Sequence, residues 1–165
     1  MEYYKNYING LFKDSHSKKT FQTIDPSTEE PWANIAAAGE EDVNDAVNAA
    51  SEAFKGEWSE FLPKQRSKVL RAIGDLLLEN TDLLGKIETK DTGKILKETK
   101  FQANYIAEFY YYYAGLVDKI EGSTLPIDKP DMQVFTTRVP IGIVAAIIPW
   151  NSQMLLTAVK LAPAL

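Results

Sequence analysis

Pro140-Ile141-Gly142-Ile143-Val144-Ala145-Ala146-Ile147-Ile148-Pro149-Trp150-Asn151-Ser152 is the stretch that sets the fold class. From Ile143 to Ile148 every residue is apolar, with no polar alternation. That pattern predicts a strand covered on both faces, as in an α/β sheet. Pro149 to Ser152 ends the run. Met154, Leu155, Ala158, Val159 and Ala162 then recur at helical spacing. The order strand, tight junction, helix marks an α/β protein, and in such sheets ligands collect beyond the C-terminal ends of strands. Gly142 precedes the strand and no glycine cluster follows, so the stretch is not a glycine-rich phosphate loop.

Upstream, Met132 to Arg138 reads as an extended segment, with Thr136 and Thr137 favouring β backbone. It fits an arm pairing with another chain or a strand of the local sheet. Gly122 to Pro130 before it is rich in turn formers. A long helix is expected from about Lys94 to Asp118, with Ala103, Ile106, Tyr110, Tyr113 and Val117 in one stripe, widened by Phe109, Tyr112 and Leu116. Tyr110 to Tyr113 cover every side of one turn, so some of them must meet a second surface. Asp91-Thr92-Gly93 interrupts the helix before it, which buries Leu83, Leu84 and Ile87. A helix after Pro63 buries Val69, Leu70, Ile73, Leu76 and Leu77. Another, behind the acids Glu40 to Asp42, carries Val43, Ala46, Val47, Ala50, Ala53 and Phe54. The opening reads as small antiparallel structure, with a hairpin at Asn9-Gly10, a strand from Phe21 to Ile24 and another from Trp32 to Ala36.

Composition narrows the function. The 165 residues are 45% hydrophobic and 25% charged, the balance of a globular protein. Net charge is -5 and no basic block exceeds Lys18-Lys19, so nucleic acid is not an expected partner. The apolar run is too short to span a membrane, and Met1 to Lys5 do not open a signal peptide. A cytoplasmic protein is the expectation. Cysteine is absent, which excludes disulfides, thiolate metal sites and a cysteine nucleophile within this span. His16 is the single histidine, so a zinc site is not expected.

The junction is the place to look for chemistry. Asn151 offers an amide donor for an oxygen that becomes negative during attack on a carbonyl, or else Asn151 or Ser152 caps the following helix. Trp150 walls a pocket or belongs to the core. Lys160 falls on nearly the opposite side of that helix from Asn151, which argues against a bond between them. Asp91 caps a segment or helps to hold a cation. Glu88 and Asp91, three apart, share a helix face, but that spacing identifies no glycosidase pair.

Taken together, Val139-Pro140-Ile141-Gly142-Ile143-Val144-Ala145-Ala146-Ile147-Ile148-Pro149-Trp150-Asn151 and Lys160-Leu161-Ala162-Pro163-Ala164-Leu165 resemble the aldehyde dehydrogenase superfamily, near the general and betaine aldehyde dehydrogenases. Tyr7 to Gly10, Thr23 to Thr28, Glu88 to Lys94, Tyr112 to Gly115 and Lys119 to Gly122 match in family order, so the resemblance covers the chain. It implies an NAD or NADP enzyme acting on a small-molecule aldehyde. Asn151 then stands for the oxyanion donor and Lys160 for a lysine given a charge-relay role. Ile148, Pro149, Trp150 and Asn151 line the cofactor cleft. Backbone oxygens of Thr23 and Ile24, with the Asp91 carboxylate, imply a sodium or potassium site. The family fold implies that 1–121 belong to the cofactor-binding domain, 122–140 to a strand-rich oligomerisation segment of a homodimer or homotetramer, and 141–165 to the first strand and helix of the dinucleotide-binding sheet.

One departure stands at the junction. Many members follow Pro-Trp-Asn with an aromatic residue and proline, whereas Ser152-Gln153 stand here, which frees a backbone donor and one φ constraint. The resemblance also implies that the cysteine nucleophile and its glutamate base lie beyond Leu165, so that this span by itself oxidises no aldehyde. A short non-catalytic binding or subunit-interaction module of the same fold is the second reading.

Overall fold

The computed structural model describes residues 1–165. The chain opens with β1 (Glu2–Tyr4), the hairpin β2 (Asn6–Ile8) and β3 (Leu11–Lys13), then β4 (Thr20–Asp25) and β5 (Glu30–Ala36). Asn9 and Gly10 both take positive φ, 51° and 74°, as the tight turn requires. β4 and β5 are antiparallel, in line with the sequence reading. β1 departs from it by pairing parallel to β5, which makes β5 the central strand of a three-stranded sheet.

Six helices follow: α1 (Glu40–Lys55), the short α2 (Glu57–Glu60), α3 (Pro63–Glu79), α4 (Thr81–Thr92), α5 (Leu96–Leu116) and, after two small strands, α6 (Gln153–Ala164). Asp42 explains where α1 starts. Its carboxylate accepts the Gly39 N–H at 2.8 Å and the His16 N–H at 3.1 Å, tying the helix to the loop after β3. These two bonds hold the Asp42 carboxyl below the usual carboxylate range. α4 stops at Gly93, whose φ of 75° places it in the left-handed region. Pro26 lies so near that a Cβ at Gly93 would come within 2.8 Å of its ring.

The core lies where α5 meets α3 and α6. Leu70, Ile106, Tyr110, Ala114, Ala158 and Ala162 are buried together, with Ile73, Leu77, Phe109 and Tyr113 packed around them. The four tyrosines divide as their spacing requires. Tyr110 and Tyr113 face the core, Tyr111 donates to Asp75 at 2.6 Å, and Tyr112 is exposed. Not every expected core residue is covered: Val43, Val47, Leu76 and Leu83 are exposed. Their helices are amphipathic as expected, but no element of this chain packs over those faces.

The apolar run stands outside the three small sheets of residues 1–165. Ile143 to Ile148 forms no strand, and the backbone from Thr136 to Pro149 is without regular structure. A strand exists only as a paired strand, and no neighbouring strand stands beside this one. The extended segment expected at Met132 to Arg138 shortens to β7 (Val134–Phe135), which pairs antiparallel with β6 (Thr124–Leu125). No helix is long and apolar enough to cross a membrane.

Val144, Ile147 and Trp150 stand 60–81% exposed beside an unpaired backbone, a combination that promotes association. Residues 1–165 expressed by themselves are therefore expected to self-associate, as read by light scattering. A monodisperse monomer with one cooperative thermal transition would contradict this.

Candidate functional site

The junction between the apolar run and α6 gathers most of the residues expected to carry chemistry. Asn151 is exposed, and its side chain makes no hydrogen bond within the chain. It is therefore not spent on capping α6. Ser152 occupies the cap position, but its hydroxyl makes no capping bond. It instead accepts from Lys94 Nζ at 2.6 Å. The helix begins with the Leu156 N–H donating to the Ser152 carbonyl at 3.0 Å. Trp150, expected either in a pocket wall or in the core, is 80% exposed within these 165 residues. Pro149 is exposed and Ile148 half-buried. Lys160 turns away from Asn151, as its spacing demands, and donates to the Ile147 carbonyl at 2.9 Å. The α6 side chain thus holds the run just ahead of the junction.

Asp91, near the C-terminal end of α4, draws three elements together. Thr23 Oγ1 on β4 donates to its Oδ1 at 2.6 Å, and Gln153 Nε2 on α6 donates to its Oδ2 at 3.0 Å. Thr23, Ile24 and Asp91 are thereby brought close, although 68 residues separate Thr23 from Asp91. The β4–β5 register shifts between Thr23 and Ile24: Thr23 pairs with Ala33 and Ile24 with Pro31, leaving Trp32 as the extra residue of a bulge. Pro31, opposite Ile24, has no N–H to give to the ladder.

Glu88 and Lys94 form a group that sequence reasoning missed. Glu88 is buried and its Oε1 accepts from Lys94 Nζ at 3.3 Å. Lys94 also donates to Gln102 Oε1 at 3.3 Å. A cavity of about 150 Å³ adjoins, lined by Leu84, Ile87, Glu88, Asp91, Gln153 and Met154. The signal lay in Ser152-Gln153, two polar residues where the related pattern has an aromatic residue and proline. Their partners could not be read from sequence, because they lie 58 and 62 positions away. His16 is not part of this site. Its ring lies 3.0 Å from Asp45 and 3.4 Å from Glu41 on the surface.

With this geometry in view, comparison with known proteins defines the class. The aldehyde dehydrogenase family model matches residues 12–165, and the chain belongs to that family. It is 50% identical, over its whole length, to (Z)-2-((N-methylformamido)methylene)-5-hydroxybutyrolactone dehydrogenase of Acinetobacter baylyi and covers 34% of that protein. It is 46% identical over its whole length to aldehyde dehydrogenase 1 of Tanacetum cinerariifolium, covering 33% of it. Among solved structures, a variant of aldehyde dehydrogenase from Bacillus cereus superposes with a TM-score of 0.94 at 36% identity, covering 99% of this chain and 33% of that one. Betaine aldehyde dehydrogenase from Staphylococcus aureus in complex with NAD+ gives 0.91 at 36% identity, covering 97% and 32%. The chain therefore spans about a third of the length of its relatives.

The hydrogen bond to Asp45 raises the His16 pKa above its ordinary 6.5, with the carboxylates of Asp42 and Glu41 adding to it. A raised pKa means that any stabilisation is fully present below the unfolded value and is lost as pH rises through the folded one. An NMR titration of the full chain is expected to place the His16 midpoint above 6.5. Asp45→Asn is expected to lower it, and an unmoved midpoint would show that the pair does not set it.

Proposed function

We propose that this chain is the N-terminal portion of an enzyme that oxidises an aldehyde to a carboxylic acid with NAD+ or NADP+. Family membership supports the reaction class, and one observation carries the local reading. The Asn151 carboxamide is uncommitted, while the Ile147 carbonyl before it is held by Lys160 and the Ser152 hydroxyl after it by Lys94. A donor held in place without being consumed is what an oxyanion site needs, since it pays no reorganisation as charge builds. Asn151 Nδ2 would donate to the substrate carbonyl oxygen. Lys160 would act by holding the run against α6.

Ile148, Pro149 and Trp150 form an open apolar strip beside Asn151, a surface suited to one face of a flat ring. A bound nicotinamide would supply a hydride acceptor for the carbonyl carbon once a nucleophile has added to it. Residues 1–121 and 141–165 would belong to the cofactor-binding domain. The β6–β7 ribbon within 122–140, with Phe135 exposed, would extend a sheet between subunits of a homodimer or homotetramer. A cytoplasmic location accompanies this reading.

In the complete enzyme carrying this chain, NADH or NADPH formation is expected with at least one member of an aldehyde panel. A 5-hydroxybutyrolactone, whose ring-opened tautomer is an aldehyde, belongs in the panel because of the Acinetobacter relative. Asn151→Ala is expected to lower kcat by about a hundred- to a thousandfold. No reduced cofactor from any aldehyde would overturn the assignment.

We also propose that Thr23, Ile24 and Asp91 hold a sodium or potassium ion. One carboxylate and two carbonyl oxygens make a hard donor set of low charge, and the bulge at Thr23 and Ile24 supports it. Sodium or potassium chloride is then expected to raise Tm relative to tetramethylammonium chloride at equal ionic strength. Asp91→Asn should abolish the difference, and an equal response to all three salts would refute the site.

A further inference from the structure

We infer that Lys94 is a positioning residue for the Asn151 junction, acting through the Ser152 hydroxyl. This inference rests on the reading of Asn151 as an oxyanion donor. An ammonium group has three protons to donate, and Lys94 places each one. They go to Ser152 Oγ at 2.6 Å, Glu88 Oε1 at 3.3 Å and Gln102 Oε1 at 3.3 Å. The short contact is the one to the junction. The other two fix the ammonium on α4 and α5, and Glu88, with its side chain only 3% exposed, neutralises it.

The anchoring elements are helices packed on one another. Lys94 follows the left-handed cap of α4 at Gly93, and Gln102 lies on α5, which packs against α4. A cation fixed by two helices therefore grips the residue directly after Asn151. Gln153 adds a second grip, donating to Asp91 at 3.0 Å. Ser152 and Gln153 are the two residues that depart from the aromatic-proline pattern. A proline ring there would restrict φ by covalent geometry, and in this chain two side-chain hydrogen bonds restrain the same backbone instead. Ser152 acts on the carbonyl only through Asn151.

Amide exchange tests the clamp without reference to activity, and kinetics tests its purpose. Both use the complete enzyme. With Ser152→Ala or Lys94→Met, the Leu156 amide, which starts α6 on the Ser152 carbonyl, is expected to exchange about tenfold faster. In Ser152→Ala, which leaves the Glu88–Lys94 pair intact, amides in the α3–α5 core should not change. Ser152→Thr keeps the hydroxyl and should restore protection. Should Lys94→Met fail to fold, Ser152→Ala decides alone, because it removes only the accepting oxygen. Unchanged exchange at Leu156 in Ser152→Ala overturns the proposal.

In turnover, Ser152→Ala is expected to lower kcat about tenfold with KM for the cofactor unmoved, and to cost no more than about twofold further in an Asn151→Ala background. A fully additive loss would mean that Ser152 does not work through Asn151, and would overturn the positioning role. A wild-type enzyme inactive on every aldehyde would sink the proposed reaction instead, and the exchange result would still decide whether the clamp exists.

Discussion

α5 carries the helical half of the molecule, and it does so through small residues. Ala103, Ala107 and Ala114 are buried with at most 3% exposure, which lets α3, α4 and α6 all approach one helix closely. Larger side chains on those faces would hold the neighbours apart, since interior packing leaves little free space. The remaining apolar mass comes from Ile106 and Tyr110 against Leu70, each worth about 1.5–3 kcal/mol when fully buried. Because α4 and α6 touch the same helix, the end of one is delivered to the start of the other. The site is a consequence of that convergence.

At the meeting point the protein uses charge and hydrogen bonds in place of apolar packing. A buried ion pair such as Glu88–Lys94 often contributes little net stability against a well-packed apolar alternative, yet removing one member costs about 3–5 kcal/mol. What the polar group adds is direction. An apolar contact at Ser152 would tolerate several rotations of the junction, whereas a hydroxyl 2.6 Å from a fixed ammonium accepts far fewer. The same holds at Asp91, whose two oxygens are separately committed to Thr23 and Gln153. The candidate cation ligands and the candidate oxyanion donor are therefore joined through one carboxylate.

How much of this could be read in advance depended on the range of the interaction. α1, α3, α4, α5 and α6 stand where periodicity predicts them, and Gly93 ends α4, because those signals are local. The hairpin at Asn9-Gly10 is local too. The parallel β1–β5 pairing spans about thirty residues and left no trace in either strand. Lys94 showed only as part of a related motif, since its role depends on Ser152 and Gln102. Thr23 and Asp91 were placed together by resemblance alone, and β4 and α4 do bring their side chains into contact.

The apolar run marks the limit of local reading. Its composition is that of a buried strand, but strand structure belongs to a pair of segments, and within residues 1–165 the run has no partner to form a ladder with. Within residues 1–165, Ile143 to Ile148 carries the propensity and has no paired neighbour, and Val144 and Ile147 stand exposed while Ile148 is half-buried. Lys160 donates to the Ile147 carbonyl and satisfies one acceptor, which fixes the end of the run next to Asn151 while the part nearer Ile141 has no such tie. The end of the run that must hold a donor still is thereby anchored from α6, and the residue after the donor from α4.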